Sequence, residues 1–247
     1  MKIIKAGYQI MSPNLDDPEE RKSIYKRIEA AGRTCYKSED RIKEDSAGKF
    51  VKAMVKNGHE AMLEHASMTV RFIVDRGVSH ELVRHRICSF AQESTRYCSY
   101  DKDKFGSEVT FIEPGFFSDL PEEVRQDIRN LKNGMPMLSY TGRLSDRCLQ
   151  YGRWYDACRY AEGCYFDMLK LGASPQEARA VLPNSLKTEV VMTADMREWR
   201  NIFKLRAAGE HGAPHPQMLE VMVPLLKECK EKLPELFDDI GVIDNEN

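Results

Sequence analysis

Fifteen glycines are spread along a chain of 247 residues, and no two of them are separated by a single residue. A Rossmann fold needs a Gly-x-Gly turn after its first strand so that the backbone can approach a pyrophosphate, and this fold is therefore excluded. A P-loop is excluded as well, because no glycine is followed by lysine and then by serine or threonine. If the chain binds a nucleotide, side chains must hold its phosphates.

The spacing of apolar residues predicts helices and strands that do not alternate in regular βαβ order. Predicted strands lie at 2–11, 68–75, 109–113 and 185–195, and predicted helices at 18–35, 47–57, 78–86, 121–132, 136–171, 196–209 and 216–233. The predicted fold class is α+β, with a mixed sheet, packed helices including one long helix, and no Rossmann fold. We expect a single domain over residues 1–247, in which the acidic C-terminal end, 226–247, is solvated.

The longest predicted helix contains five tyrosines at roughly helical spacing, namely Tyr140, Tyr151, Tyr155, Tyr160 and Tyr165. We interpret them as core and interface residues rather than as a stacking platform. Residues 88–100 follow neither helical nor strand spacing, so no element is predicted there.

Charge is nearly balanced overall but unevenly distributed. The chain has 37 basic and 39 acidic residues, a net charge of -2 and 42% hydrophobic residues, which excludes a nucleic-acid binder held by overall charge and an acidic disordered chain. Two segments, 84–97 and 179–206, nevertheless concentrate arginine together with serine, glutamine and asparagine. Arginine forks and hydroxyls bind phosphate where glycine loops are missing, although composition alone is equally compatible with a solvated polar surface.

Cysteine spacing and hydropathy indicate a reducing, non-membrane environment. No stretch approaches the ~20 apolar residues that cross a bilayer, and the first twelve residues are too short and too broken for a signal peptide. The seven cysteines contain no Cys-x-x-Cys pair, so we expect free thiols and a cytoplasmic protein. His80 and His85 imitate a zinc-protease motif but are five positions apart, which turns them about 140° from each other on a helix, and no metal site is predicted.

The segment 84–97, RHRICSFAQESTRY, resembles the signature of the flavin-dependent thymidylate synthases, Arg-His-Arg-x-x-Ser followed by Ser-x-Arg-Tyr. Further blocks are similar to the same family: Glu64-His65, QEARAVLP at 176–183, the Trp-Arg-Asn and Leu-Arg pattern between 199 and 206, and HPQ at 215–217. The resemblance therefore extends over most of the chain.

The resemblance implies a methyltransferase that converts deoxyuridine monophosphate (dUMP) to thymidylate (dTMP) without an enzyme cysteine nucleophile. It implies 5,10-methylenetetrahydrofolate as the carbon donor, and FAD, reduced by NADPH, as the source of hydride. It also implies a homotetramer whose active sites are shared between subunits, with small-molecule substrates and with no nucleic-acid or membrane partner.

The same resemblance assigns roles to individual residues. The expected dUMP-binding residues are Gln92, Ser94, Thr95, Arg96, Arg179 and Arg206, with Arg179 contributed by a neighbouring subunit. Arg206 is the expected catalytic residue, a cation that contacts the pyrimidine ring and stabilises negative charge on a carbonyl. The expected FAD-binding residues are His65, Arg84, His85, Arg86, Gln92, Asp195, Arg197, Asn201 and His215.

Several alternatives remain beside these assignments. Ser94 could be a nucleophile, but no base is placed near it in the sequence, and Cys88 and Cys98 are interpreted as structural. Glu81 is left out of the site because an acid would repel a phosphate unless an arginine paired with it. The chain could instead be an RNA-binding protein, or a related flavoprotein that binds FAD and nucleotide without transferring a methyl group.

Overall fold

The computed structural model describes residues 1–100, 106–130 and 145–243. The chain divides into two compact units, each built from separate segments. The first unit comprises Met1–Ala6, Val74–Ser79 and Glu93–Thr188, and the second comprises Gly7–Ile73, His80–Gln92 and Glu189–Asn247. The expectation of a single domain stays a prediction.

The first unit is mainly helical around a short parallel strand pair. Strand β1 (Lys2–Ile4) pairs in parallel with β5 (Thr110–Ile112). The helices are α4 (Glu122–Asn130), α5 (Asp146–Lys170) and α6 (Pro175–Ala178), followed by a 3-10 helix at Arg179–Val181. Its main buried cluster is formed by Tyr100, Val109, Phe111, Cys158, Tyr165, Ala178 and Leu186.

The second unit contains most of a four-stranded sheet in the order β2-β3-β6-β4. These strands are β2 (Gly7–Ser12), β3 (Ser67–Asp75), β6 (Lys187–Asp195) and β4 (Ser89–Gln92). Strand β2 is antiparallel to β3, and β4 is antiparallel to β6. Alternate residues of β3 and β6 are buried, as expected for strands that pack one face against helices.

The helices of the second unit supply its apolar core. They are α1 (Pro18–Cys35), α2 (Ser46–Lys56), α7 (Met196–Arg206), α8 (Pro216–Lys232) and α9 (Pro234–Phe237), with a 3-10 helix at Glu60–His65. Helix α3 (Arg76–Leu82) follows β3 in the chain, and only its last turn, from His80, belongs to this unit. Trp199 of α7 packs against Phe72 and Phe203 with tilted rings, and its indole donates to the carbonyl of Met68 at 2.9 Å. Helix α7 is thereby fixed against β3.

The predicted α+β class is confirmed, and helices with local start and stop signals lie close to their expected limits. The carboxylate of Asp17 caps α1 by accepting from the Glu19 amide at 2.8 Å, and Pro18 opens the helix. Tyr151 and Tyr165 are buried as expected, whereas Tyr160 is exposed. Within the part of the chain that the structure describes, no helix has the length and apolarity needed to cross a bilayer.

Four expectations about individual elements are wrong. The strand expected at 2–11 is divided into β1 and β2, and the short helix expected at 78–86 runs from Arg76 to Leu82. Residues 88–100 contain β4, which sequence spacing missed. The long helix begins only at Asp146, because Ser145 is extended and its hydroxyl accepts from the Cys148 amide; its predicted part at 136–144, with Tyr140, lies outside the described residues.

The C-terminal segment is not a solvated end. Helix α8 continues to Lys232, and Leu233, Leu236, Phe237 and Ile240 are all buried. Acidic side chains of this segment meet partners from distant parts of the same unit: Glu228 accepts from Tyr8, and Glu235 accepts from Tyr25. Only 244–247 of the predicted acidic end lie outside the described residues.

Candidate functional site

The recognised segment 84–97 spans three local structures. Residues 84–86 follow the end of α3, strand β4 comes next, and a loop, 94–98, follows the strand. In that loop, the Ser94 carbonyl accepts from the Tyr97 and Cys98 amides, at 3.2 and 3.0 Å. The Ser94 hydroxyl accepts from the Arg96 amide at 3.3 Å, which fixes the backbone at the two residues expected to hold phosphate.

Loop 94–98 carries Arg96 and is contacted by a second arginine of the first unit. Arg179 donates through Nη1 to the hydroxyl of Thr95 at 2.9 Å. Thr95 is buried, whereas Arg96 is exposed with its guanidinium 5.4 Å from the centre of the Tyr97 ring. Four of the six residues expected to bind dUMP are thus gathered in one unit of one chain. The expectation that Arg179 serves the site of a neighbouring subunit stays a prediction.

The one acidic side chain in segment 84–97 is neutralised. Glu93 accepts from Lys187 at 3.1 Å, and both side chains are largely shielded from solvent. A paired carboxylate competes little for the neighbouring Arg96, so the charge on that guanidinium remains available for an anion.

A cleft of about 570 Å³ lies beside helix α7 in the second unit. We call it the α7 cleft; its lining residues are Glu60, Glu64, Ile87, Asp195, Arg197, Glu198, Asn201 and Lys204. Asp195, Arg197 and Asn201 are among the residues expected to bind FAD. The lining contains four carboxylates and two cations, so it offers mainly hydrogen-bond acceptors.

The N-cap and the helical spacing of α7 place these side chains in the cleft. Asp195 caps the helix by accepting from the Glu198 amide at 2.8 Å. Arg197, Asn201 and Lys204 follow at three- and four-residue spacing, which places them on one face. Arg197 also pairs with Glu64 across the cleft lining, and both side chains remain about half exposed.

At the other end of α7, Arg206 is held by two side chains. Its Nε donates to His85 Nε2 at 3.2 Å, and its Nη1 donates to Glu81 Oε2 at 2.9 Å. His85 Nδ1 in turn lies 3.5 Å from Glu198 Oε1. We call Glu81, His85, Glu198 and Arg206 the Arg206 cluster.

The protonation of His85 follows from this environment. Burial, with the Arg206 charge adding to it, lowers the pKa of His85 to about 4. At neutral pH the imidazole is therefore uncharged, and because Nε2 accepts from Arg206, the ring proton is assigned to Nδ1, facing Glu198. Burial raises the pKa of Glu198, as does Asp195, while hydrogen bonds from Asn201 to both of its oxygens oppose this rise.

Glu81 is the residue that sequence reasoning left out of the site. The reason for its exclusion, repulsion of phosphate by an unpaired acid, does not apply because Arg206 pairs with it. The two residues are 125 positions apart, so nothing local in the sequence indicated the pair.

The remaining expected site residues lie on separate elements of the chain. His65, Arg84 and Arg86 are exposed, and Gln92 is the last residue of β4, opposite Val190. His215 is exposed and caps α8, its Nδ1 accepting from the Gln217 amide at 3.2 Å.

Arg200 lies within the second arginine-rich segment but belongs to the core. It is 1% exposed, donates to Glu60 at 3.0 Å, and forms a two-pronged pair with Asp239 at 2.8 and 2.7 Å. A further bond reaches the Leu236 carbonyl. Arg200 therefore anchors the C-terminal segment and contributes nothing to an anion pocket.

The alternatives of a zinc site at His80 and of a Cys88 nucleophile can be compared with the described part of the chain. No group of three or more His, Cys, Asp or Glu residues there could hold a metal ion, and His80 is exposed. Burial, together with Glu198 and Asp195, raises the pKa of Cys88 to about 12. Its thiol is then protonated at neutral pH, which is the opposite of what a nucleophile requires.

Comparison with known protein families gives a match over most of the chain. Residues 20–235 match the family described as thymidylate synthase complementing protein. The flavin-dependent thymidylate synthase of Corynebacterium efficiens is 31% identical over 221 residues, which cover 87% of this chain and 79% of that protein. The enzyme of the same name from Pyrococcus furiosus is 30% identical over 178 residues, covering 71% of this chain and 60% of that protein.

A solved structure with the same fold is the UMP/dUMP methylase PolB from Streptomyces cacaoi, bound with 5-Br dUMP. It superposes with a TM-score of 0.69 over 96% of both chains, at 21% sequence identity. At this identity the likeness concerns the fold.

Proposed function

The chain belongs to the flavin-dependent thymidylate synthase family, and from this premise we propose that loop 94–98 binds the nucleotide phosphate and the α7 cleft binds part of the flavin. The chain is a methyltransferase that converts dUMP to dTMP with a flavin cofactor. We further propose that 5,10-methylenetetrahydrofolate supplies the carbon and that NADPH reduces the flavin, which is FAD.

The observation that carries this proposal is the meeting of Arg179 with loop 94–98. The substrate has a phosphate dianion, which is best held by planar guanidinium forks and hydroxyls. Arg96 would bind it directly, Ser94 would add a hydroxyl, and Thr95 would orient Arg179 through the 2.9 Å hydrogen bond. Gln92, at the end of β4, is proposed to contact the same nucleotide.

The side chains of the second unit fit FAD if the polar groups of the cofactor lie against the carboxylates and its diphosphate lies against the arginines. The hydroxyls and the adenine amine of FAD are hydrogen-bond donors, and they suit the carboxylates and the Asn201 amide of the α7 cleft. The diphosphate needs cations, which exposed Arg84 and Arg86 would supply. His65, His85, Arg197 and His215 complete the proposed set, and the reduced flavin, when bound, supplies the hydride.

Arg206 is proposed to contact the pyrimidine. As the ring is attacked and reduced, negative charge develops on a uracil carbonyl, and a fixed guanidinium donor stabilises it. No enzyme thiolate is required in this scheme, in agreement with the raised pKa of Cys88.

We also propose a cytoplasmic homotetramer. The seven cysteines are free thiols, as expected in a reducing compartment. Exposed Arg84 and Arg86 would be accessible to a second copy of the chain, as shared active sites require. Sedimentation of the purified protein measures the assembly directly.

The function is tested by a visible absorption spectrum of the purified protein. We expect a yellow protein whose flavin absorption bleaches with NADPH and recovers when dUMP and methylenetetrahydrofolate are added, with dTMP formed. A colourless protein that cannot be reconstituted with FAD would contradict the proposal.

Two further measurements separate the alternatives. Tritium release from dUMP labelled on the ring distinguishes methyl transfer from a scaffold that only binds flavin and nucleotide. RNA binding that weakens steeply with salt and needs no flavin would favour the RNA-binding alternative.

Substitution Arg96→Lys is expected to weaken dUMP binding by about tenfold or more while the chain remains folded. A point charge replaces a planar fork, so one of two parallel hydrogen bonds to the phosphate is lost. Calorimetric titration of the holoenzyme with dUMP measures the change.

Arg159→Lys is the matched control, because Arg159 is a partly exposed arginine of the same unit that pairs with Asp156 outside the proposed site. Its dUMP affinity should equal that of the wild type. An unchanged affinity in Arg96→Lys would refute the assignment of Arg96 to the phosphate.

A further inference from the structure

The guanidinium of Arg206 is fixed from two directions by side chains of its own unit. Its Nε donates to His85 and its Nη1 donates to Glu81, at 3.2 and 2.9 Å. Arg206 and Glu81 keep about a quarter and a third of their side-chain surface exposed, 23% and 31%, so a ligand can reach them. Among the partners found in the described part of the chain, none engages Nη2.

His85 can hold Arg206 only because the imidazole itself is locked. Its side chain is 5% exposed, and Nδ1 faces Glu198 at 3.5 Å. Glu198 is tied to α7 by two hydrogen bonds from Asn201, and its own amide donates to Asp195. An uncharged imidazole with its proton on Nδ1 presents Nε2 as an acceptor, which is the form that Arg206 requires.

We infer that Glu81 and His85 are positioning residues that fix Arg206 through Nη1 and Nε and direct Nη2 to the pyrimidine of the substrate. This inference rests on the proposed function, because it requires that Arg206 contacts the pyrimidine of dUMP. Neither residue touches the reacting atoms; both act through Arg206.

The charges of the pair support a carbonyl rather than a phosphate as the target. Glu81 compensates the Arg206 charge, so the pair as a whole attracts a phosphate dianion weakly. Its remaining N–H donors still suit a neutral carbonyl that becomes negative during reaction. The phosphate is left to Arg96 and Arg179, and the one acid of segment 84–97, Glu93, is paired with Lys187.

Substitution Glu81→Leu in the flavin-loaded enzyme tests the inference. We expect kcat for dTMP formation to fall about 10–100-fold, because a misplaced catalytic group costs about that much. Flavin content and dUMP affinity should change by less than about threefold. Glu81→Gln keeps an acceptor oxygen of the same shape and should recover most of the lost kcat.

A double-mutant cycle separates positioning from a general structural effect. If Glu81 acts through Arg206, Glu81→Leu in an Arg206→Ala background should lower kcat by no more than about twofold further. The control Asp45→Leu removes an exposed acid that pairs with Lys49 elsewhere in the second unit, and should leave kcat unchanged. Equal losses from Glu81→Leu in both backgrounds would overturn the inference.

A measurement without substrates distinguishes this inference from the proposed function. In protein labelled with ¹⁵N-histidine, His85 should show the Nδ1-protonated form at neutral pH, and its Nε2 signal should shift in Arg206→Ala. If that signal does not shift, the positioning contact is refuted even in an active enzyme. If wild-type protein forms no dTMP while the signal shifts, the contact stands and the proposed function fails.

Discussion

Replacing Arg200 with methionine is expected to lower the free energy of unfolding by about 3–5 kcal/mol. The guanidinium is 1% exposed and joins Glu60 of one segment to Asp239 and the Leu236 carbonyl of another. Methionine fills a similar volume but leaves Glu60 without its closest cation and the Leu236 carbonyl without this donor. Urea unfolding followed by far-UV circular dichroism gives the change directly.

Lys204→Met is the matched control for this prediction. Lys204 lies one turn further along α7 and approaches the same Glu60 at 4.0 Å, but its side chain is about one third exposed. A partly exposed pair at that distance contributes at most about 1 kcal/mol. If both variants lost the same small amount, Arg200 would not be the anchor of the C-terminal segment.

The loss in Arg200→Met should also depend on pH. The hydrogen bond from Arg200 holds the pKa of Asp239 below its ordinary value. A carboxylate with a lowered folded-state pKa contributes its full stabilisation above the unfolded value of about 3.9, and loses it as the pH falls through the lower folded value. The difference between wild type and Arg200→Met should therefore shrink on acidification, although half-exposed Asp239 makes this part of the effect modest.

Local signals explain which elements could be predicted. Helix α1 was placed correctly because Asp17 and Pro18 fix its start within the segment itself. Strand β4 was missed because four residues are too few to show a period, and its identity as a strand depends on pairing with β6, about a hundred positions away in the chain.

The C-terminal error has a related cause. The acidic composition of residues 226–247 predicts a solvated end, but several of their side chains contact residues that are distant in the sequence. Asp239 pairs with Arg200, and Glu228 accepts from Tyr8. The apolar side chains between the acids are buried, so the charges lie at the edge of a core rather than in a free end.

For the candidate site, the sequence motif identified residue types but not their partners. The motif assigns Arg96 and Arg179 to the phosphate, and the structure adds that Thr95, in the loop that carries Arg96, accepts a hydrogen bond from Arg179. The exclusion of Glu81 assumes an unpaired acid, and the sequence does not reveal its partner, Arg206, which is 125 positions away. Resemblance to a family assigns roles to the residues that match its motif. A residue that departs from the motif, such as Glu81, can be understood only from its contacts in the structure.

Substitution Arg206→Ala is expected to reduce kcat for dTMP formation by about 10²–10³-fold, with flavin content within about twofold of the wild type. The side chain is proposed to donate to a uracil carbonyl whose charge grows in the transition state, so its removal raises the barrier more than it weakens ground-state binding. Turnover is measured at saturating substrates, and flavin per chain from visible absorbance.

The matched control is Arg27→Ala, an exposed arginine on α1 of the same unit, whose substitution should leave both turnover and flavin content unchanged. Arg206→Ala also leaves Glu81 without its cation and His85 without its donor, and this can lower stability slightly, so unfolding is measured in parallel. If flavin is lost in proportion to activity, Arg206 holds the cofactor and does not stabilise the pyrimidine. If turnover is retained with flavin in place, the guanidinium has no part in the chemical step, and the cluster of Glu81, His85 and Glu198 around it is structural.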